Sequence, residues 1–198
     1  MSYREDGRKI SEIRRININH SYPYTTLIQG NTHIKVNIDG PKEGNKLNIN
    51  VSYSKTSRQE QASEKRTYEY ENELYSIFDQ IILTDRQIDI AVEIVQEDGS
   101  ILSSMVNCIA LSLCHSNVPL CDYPCGITYS NLGVDLSGSE EGGRHCVIIV
   151  VYLMNTGKII YYKSIGKITM EKIQSINEMG REGIYEIYKN MKEFLIRE

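Results

Sequence analysis

Hydrophobic residues in the first part of the chain recur with a period of two. Ile34, Val36 and Ile38 alternate with His33, Lys35 and Asn37, the pattern of a strand with one buried side. Residues 24–29 precede it across Gly30-Asn31, a short turn of the hairpin kind. Residues 10–18 alternate more loosely, with Ile16 and Ile18 on one side. After Gly40-Pro41, the positions Leu47, Ile49 and Val51 carry the period into a third strand. Residues 55–63, rich in Ser, Gln and Lys, predict a loop. The period then changes. Tyr70, Leu74, Ile77, Phe78, Ile81 and Ile82 follow steps of three and four, so a helix of about 15 residues is expected from near Arg66.

Residues 86–119 form the centre of the pattern. In 87–95, Ile88, Ile90, Val92 and Ile94 share a strand face opposite Asp89, Ala91 and Glu93. A turn at 96–100 leads into an apolar helix over 101–115, for which Ser100 is the expected N-cap. Ile101, Met105, Ile109 and Leu113 make one row and Leu102, Val106 and Ala110 a second. Two adjacent rows predict a largely buried helix. Extended structure resumes at 121–129 and 134–136, followed by the glycine-rich acidic turn Ser137-Gly-Ser-Glu-Glu-Gly-Gly143. Residues 146–153 are almost wholly apolar and turn through Asn155-Thr-Gly157 into a strand over 158–162. A long final helix begins after Thr169, with Ile168 and Ile173 placed as a hydrophobic staple. Its stripe contains Gly180, which costs about 1 kcal/mol relative to Ala and implies a close crossing or a break. The order of elements predicts an α+β fold: sheets with long helices packed between or against them. With no linker or repeat visible, residues 1–198 read as one domain.

Composition refines this picture. The chain of 198 residues has 14 Tyr, two Phe and no Trp, so Tyr carries most of the aromatic burial. No apolar run approaches the roughly 20 residues that span a bilayer, and the N-terminus lacks an apolar leader. A soluble intracellular protein without membrane contact is expected. A net charge of −4 argues against a free-standing nucleic-acid binder. Residues 42–66 are nevertheless locally basic, with Lys42, Lys46, Lys55, Arg58, Lys65 and Arg66. Such a segment suits RNA contact inside a larger assembly. Five cysteines without a repeating spacing suggest reduced thiols.

Candidate chemistry is sparse. A strand, the Gly99-Ser100 turn and a helix N-terminus make an anion site in principle, but Ile101, Leu102, Ser103 and Ser104 follow without a cation. A purely structural turn is the expectation. Asp135, Glu140 and Glu141 offer oxygen ligands or acid–base groups; a solvated acidic turn is expected instead. Cys121 and Cys125, with Cys114 or His115, lack a second pair at zinc spacing, so no metal is expected. His145 and Cys146 point to opposite faces if extended. Residues 3–9 read as an exposed polar arm. Lys65-Arg66, read as lying just before the first helix, is at an end that prefers acids, which favours an external anion.

The ordered set of motifs resembles the RNase PH family, and within it the RNase PH-like subunits of the eukaryotic exosome ring. The matches are Tyr3-Arg-Glu-Asp-Gly-Arg8, Glu12-Ile-Arg14, Gln29-Gly-Asn-Thr32, Gly40-Pro41-Lys-Glu43, Ile82-Leu83-Thr84, Gln87-Ile-Asp-Ile90, Gln96-Glu-Asp-Gly99, Val118-Pro119 and Asp135-Leu-Ser137 with Glu140-Glu141. They run in family order, and look most like the ring subunit whose archaeal relative is catalytic. The resemblance implies an RNase PH-like fold (ribosomal protein S5 domain 2-like) of two βαβα-type halves. It implies a family reaction in which phosphate attacks the 3′-terminal phosphodiester of RNA and releases a nucleoside diphosphate. That reaction requires a Gly-Ser/Thr-Arg phosphate turn, an arginine before the first long helix and two late acids. Arg66 fits the arginine and Gly99-Ser100 the turn, but Ile101 stands in place of the second cation. Glu141 stands where the family has an Asp. Val147 falls on the second acid, with His145 the residue that a short loop shift would bring there.

The resemblance therefore implies a non-catalytic ring subunit without cofactor. It would pair with other RNase PH-like subunits, support RNA-binding cap subunits and line a channel for single-stranded RNA. Lys65 and Arg66, with Lys55 and Arg58, would touch phosphates, and an associated hydrolytic exonuclease would cut. Ribosomal RNA maturation and messenger turnover in nucleus, nucleolus and cytoplasm follow from the same resemblance. The alternatives are an active phosphate-dependent 3′–5′ exoribonuclease with Glu141 as its acid, or a small-molecule enzyme on a similar fold.

Overall fold

The computed structural model describes residues 4, 6–44, 46–54, 60–143, 146–167 and 170–197, of which 60–63 and 170–172 as backbone. The early period-two stretches form β1 (Ile16–Ser21), β2 (Tyr24–Gln29), β3 (Thr32–Lys42) and β4 (Leu47–Tyr53). Helix α1 (Glu60–Phe78), β5 (Gln87–Gln96) and α2 (Ile101–His115) follow. The second half contains β6 (Pro124–Ser130), β7 (Gly133–Val134), the short α3 (Gly138–Glu141), β8 (Val147–Leu153), β9 (Ile159–Ile165) and α4 (Met170–Arg197). Thr169 and Ile168, the expected cap and staple, lie outside the described residues.

Two sheets result. The first has the order β1-β2-β3-β5-β4, antiparallel except for the parallel pair β4 and β5. A parallel pair needs a crossover, and α1 provides it. The second sheet is antiparallel, in the order β7-β6-β8-β9. Helix α1 starts well before Arg66, because its polar first turns carry no apolar period to mark them. Its stripe ends at Phe78, and Ile81 is buried in the following turn.

Helix α2 is buried from Ile101 through Leu113 because it lies between the sheets. On one side Cys108 Sγ donates to Thr25 O at 3.5 Å and Ser104 Oγ to Gln29 Oε1 at 3.3 Å. On the other, Ser103 and Thr128 share a hydroxyl hydrogen bond of 2.9 Å. Asn107 donates to Gly126 O at 3.0 Å and accepts from Gly126 N–H at 2.7 Å. Strand β7 is too short to reach that part of β6, so the Asn107 amide serves its backbone instead. Helix α1 joins this middle layer, linked to β9 by Glu73 and Lys163 at 2.5 Å.

Helix α4 covers the outer face of the second sheet. Cys125, Ile127 and Tyr129 point to it, while the intervening Gly126 and Thr128 face α2. Gly180 marks the closest crossing: a Cβ there would lie 2.6–2.8 Å from the Tyr129 ring. The close-crossing expectation for Gly180 therefore holds.

Two buried arginines join the halves. Arg14 donates to Asp135 Oδ1 through Nη2 at 2.7 Å and Nε at 3.0 Å, and its backbone N–H to Oδ2 at 2.7 Å. Its Nη1 also donates to Asp98 O at 2.5 Å. Arg4 forks onto Glu140 and donates to Val134 O at 2.6 Å. Two expectations are corrected here. Arg4 of the polar arm is buried, and Asp135 and Glu140 are buried rather than solvated, because their charges find bidentate partners far along the chain. Burial by itself raises the Glu140 carboxyl, but hydrogen bonds from Arg4 and Ser137 bring it below the ordinary value of 4.5.

Replacing Gly180 by Ala should destabilise the fold by about 1–3 kcal/mol, as an overpacked contact does; urea unfolding reads this. Helix propensity alone would give the opposite sign, and a stabilised variant would refute the crossing. Because the Glu140 pKa is depressed in the folded state, its contribution is present above about pH 4.5 and lost as pH falls through the folded value. Glu140→Gln should therefore flatten the acid limb of the stability–pH curve.

Candidate functional site

The site lies where β5 gives way to α2. Gly99 has φ +75, and a Cβ there would come within 2.4–2.6 Å of the backbone at Leu136, Ser137 and Gly138. Only glycine lets the two halves approach this closely. Ser100 follows in the left-handed region at φ 51 and ψ 33 and makes no side-chain cap. This corrects the N-cap expectation: that backbone directs its hydroxyl to Leu136 O, at 2.9 Å, instead of over the first turn.

The same approach brings α3 against the start of α2. Glu141 Oε1 accepts the Ser100 N–H at 2.6 Å. Burial pushes the Glu141 carboxyl up; the Ser100 N–H and the Arg14 charge pull it back, and Glu97 and Asp135 push it up again, leaving it raised. The helix terminus is thus supplied with an anion by the chain itself, as the macrodipole favours.

Arg66 shows a parallel arrangement. It lies within α1, not ahead of it, and its Nη2 donates to Glu97 Oε1 at 2.6 Å. Tyr53 donates its hydroxyl to Glu97 Oε2 at 3.1 Å. Burial works against the Arg66 charge, but Tyr70, Glu97 and Tyr53 hold the guanidinium more firmly protonated than usual. The external anion expected beside Arg66 is replaced by Glu97. Sequence reasoning missed Glu97, Tyr53 and Tyr70 as members of this cluster. The signal available for Glu97 was its place in the Gln96-Glu-Asp-Gly99 motif.

Ile101 is buried at the start of α2 and Val147 at the start of β8; both are core side chains. Lys65 is 88% exposed, with Glu69 one turn on at 3.9 Å, and does not share the Arg66 cluster. Lys55, Arg58 and His145 lie outside the described residues. The five cysteines are free, with Cys121 exposed and Cys125 buried. Among the described residues no group of three or more His, Cys, Asp or Glu is arranged to hold a metal.

Comparison with known proteins gives a consistent answer. Residues 12–119 match RNase PH, described as the 3' exoribonuclease family, domain 1. The chain is 27% identical to exosome complex component ski6 of Schizosaccharomyces pombe, over 96% of this chain and 89% of that one. It is 23% identical to exosome complex component RRP41 of Homo sapiens, over 94% and 87%. The crystal structure of rice (Oryza sativa) Rrp46 superposes with a TM-score of 0.82 at 22% identity, covering 97% of this chain and 99% of that one, a likeness of fold. With the family match spanning more than half of its residues, the chain belongs to the RNase PH family of 3' exoribonucleases.

Proposed function

We propose that this chain is a non-catalytic ring subunit of an RNA exosome, one RNase PH-like domain that scaffolds 3′–5′ RNA processing and degradation. One observation carries the loss of catalysis: both groups suited to phosphate already hold the chain's own carboxylates. Glu141 sits on the Ser100 N–H and Glu97 on Arg66, each at 2.6 Å. A phosphate nucleophile would have to displace both without the cation that Ile101 replaces. Val147, in the position of the second acid, is buried and apolar. The relatives named exosome complex components support the ring assignment. In it the chain pairs with other RNase PH-like subunits, carries RNA-binding cap subunits and leaves cutting to an associated hydrolytic exonuclease, in nucleus, nucleolus and cytoplasm.

Incubating purified protein with oligo-RNA, phosphate and Mg²⁺ should release no nucleoside diphosphate. Release that Glu141→Gln abolishes would establish the active phosphorolytic enzyme instead. Co-purification with mass identification should return RNase PH-like partners; their absence overturns the ring assignment. In the assembled complex, Lys65→Glu, at a side chain 88% exposed, should shorten the RNA protected from nuclease without disturbing assembly. Unchanged protection would mean that Lys65 does not meet RNA.

A further inference from the structure

Helix α4 carries two rows on its exposed side. Glu178, Glu182 and Glu186 form one at steps of four. Arg181, Tyr185, Tyr188 and Lys192 form the other at steps of four, three and four, with Lys189 beside them. The second row borders the part of the outer sheet face that α4 leaves uncovered. Tyr152 of β8 forms the floor of a cleft there, in hydrogen-bond contact with Arg181 and close to Tyr162 and Tyr185. Ile159 stands opposite Tyr152 and Tyr162 opposite Val150, so both belong to this face.

The exposed groups are aromatic and cationic by turns. Tyr185 is 61% exposed and Tyr162 46%. Lys192 Nζ lies 5.9 Å from the Tyr188 ring centroid, and that ring packs against Tyr123 at 5.6 Å. Among the described residues, Arg181, Lys189 and Lys192 form no ion pair. Exposed rings interleaved with cations that no described carboxylate neutralises match one ligand chemistry: bases present π-faces at the spacing at which phosphates present charge. The acidic row on the neighbouring face of α4 repels a phosphate backbone and confines it to the cleft.

We infer that the cleft between α4 and the end of β8 binds single-stranded RNA, with bases stacked on Tyr185 and the nearby Tyr162 and phosphates met by Arg181, Lys189 and Lys192. This rests on the RNA-exosome reading and adds a binding surface on the opposite face of the second sheet from α1. Its recognition is sequence-tolerant, because stacking and charge read no base edge.

Fluorescence anisotropy of the full chain with a labelled oligouridylate tests it. Tyr162→Ala with Tyr185→Ala should weaken binding about tenfold or more. Lys189→Gln with Lys192→Gln should reduce the slope of log affinity against log salt by about 1.4, or about 0.7 for each phosphate left without its lysine. All four side chains are exposed, and circular dichroism confirms that the variants fold. Unchanged affinity and slope in both variants would overturn the cleft while leaving the ring assignment standing, as would binding abolished only by Lys65→Glu. Undetectable binding by the unaltered chain would overturn it too. Cleft-dependent binding without RNase PH-like partners in co-purification would keep the cleft and remove the ring assignment.

Discussion

The structure depends on a buried guanidinium. Arg14 meets Asp135 of the second half with three hydrogen bonds and reaches the Asp98 carbonyl in the turn after β5. A buried ion pair is no automatic gain, since both partners lose their water. Here the carboxylate takes a backbone N–H as well as the fork, and the guanidinium has carbonyl acceptors to spare, so little of that desolvation is left uncompensated. Losing one partner of such a pair costs about 3–5 kcal/mol, because the other charge stays buried. Arg4 and Glu140 of α3 repeat the device, and Thr32 adds a neutral tie to the Gly99 carbonyl at 2.8 Å.

This joint determines what the start of α2 can do. Held by Arg14 and packed on Gly99, the 136–138 segment brings α3 beneath the helix terminus, and Glu141 reaches the Ser100 N–H. A carboxylate in that place gains about 0.3–1 kcal/mol from the dipole and competes with any external anion. The neighbouring Ile101 contributes as a buried aliphatic side chain, about 1.5–3 kcal/mol, where a cation would need a partner. At the start of α2 the residue after Ser100 therefore serves packing.

Much of this was legible in the residues. Alternation marked Ile34 and Val36 as inward, the two rows of 101–113 announced an enclosed helix, and Gly180 signalled a close crossing. These readings succeed because periodicity reports which side of an element is apolar, and burial follows. The failures share a cause as well. Arg4, Asp135 and Glu140 looked solvated because charged residues usually are. Their partners lie 121 and 136 positions away in sequence, beyond any local pattern. Arg66 was placed ahead of α1 because the helix's first turns are polar.

What the sequence by itself determined is therefore the set of elements, their apolar faces and, through ordered motifs, the family. Those features are written in spacings of two, three and four residues and in short runs that do not need folding to be read. Only the tertiary structure decided that Glu141 serves the Ser100 N–H, that Glu97 neutralises Arg66, and that Arg181 and Tyr185 border a tyrosine-floored cleft. Each is a meeting of groups distant in sequence. A carboxylate's partner, unlike its neighbours' periodicity, is chosen by which backbone the packed sheets bring within about 3 Å of it.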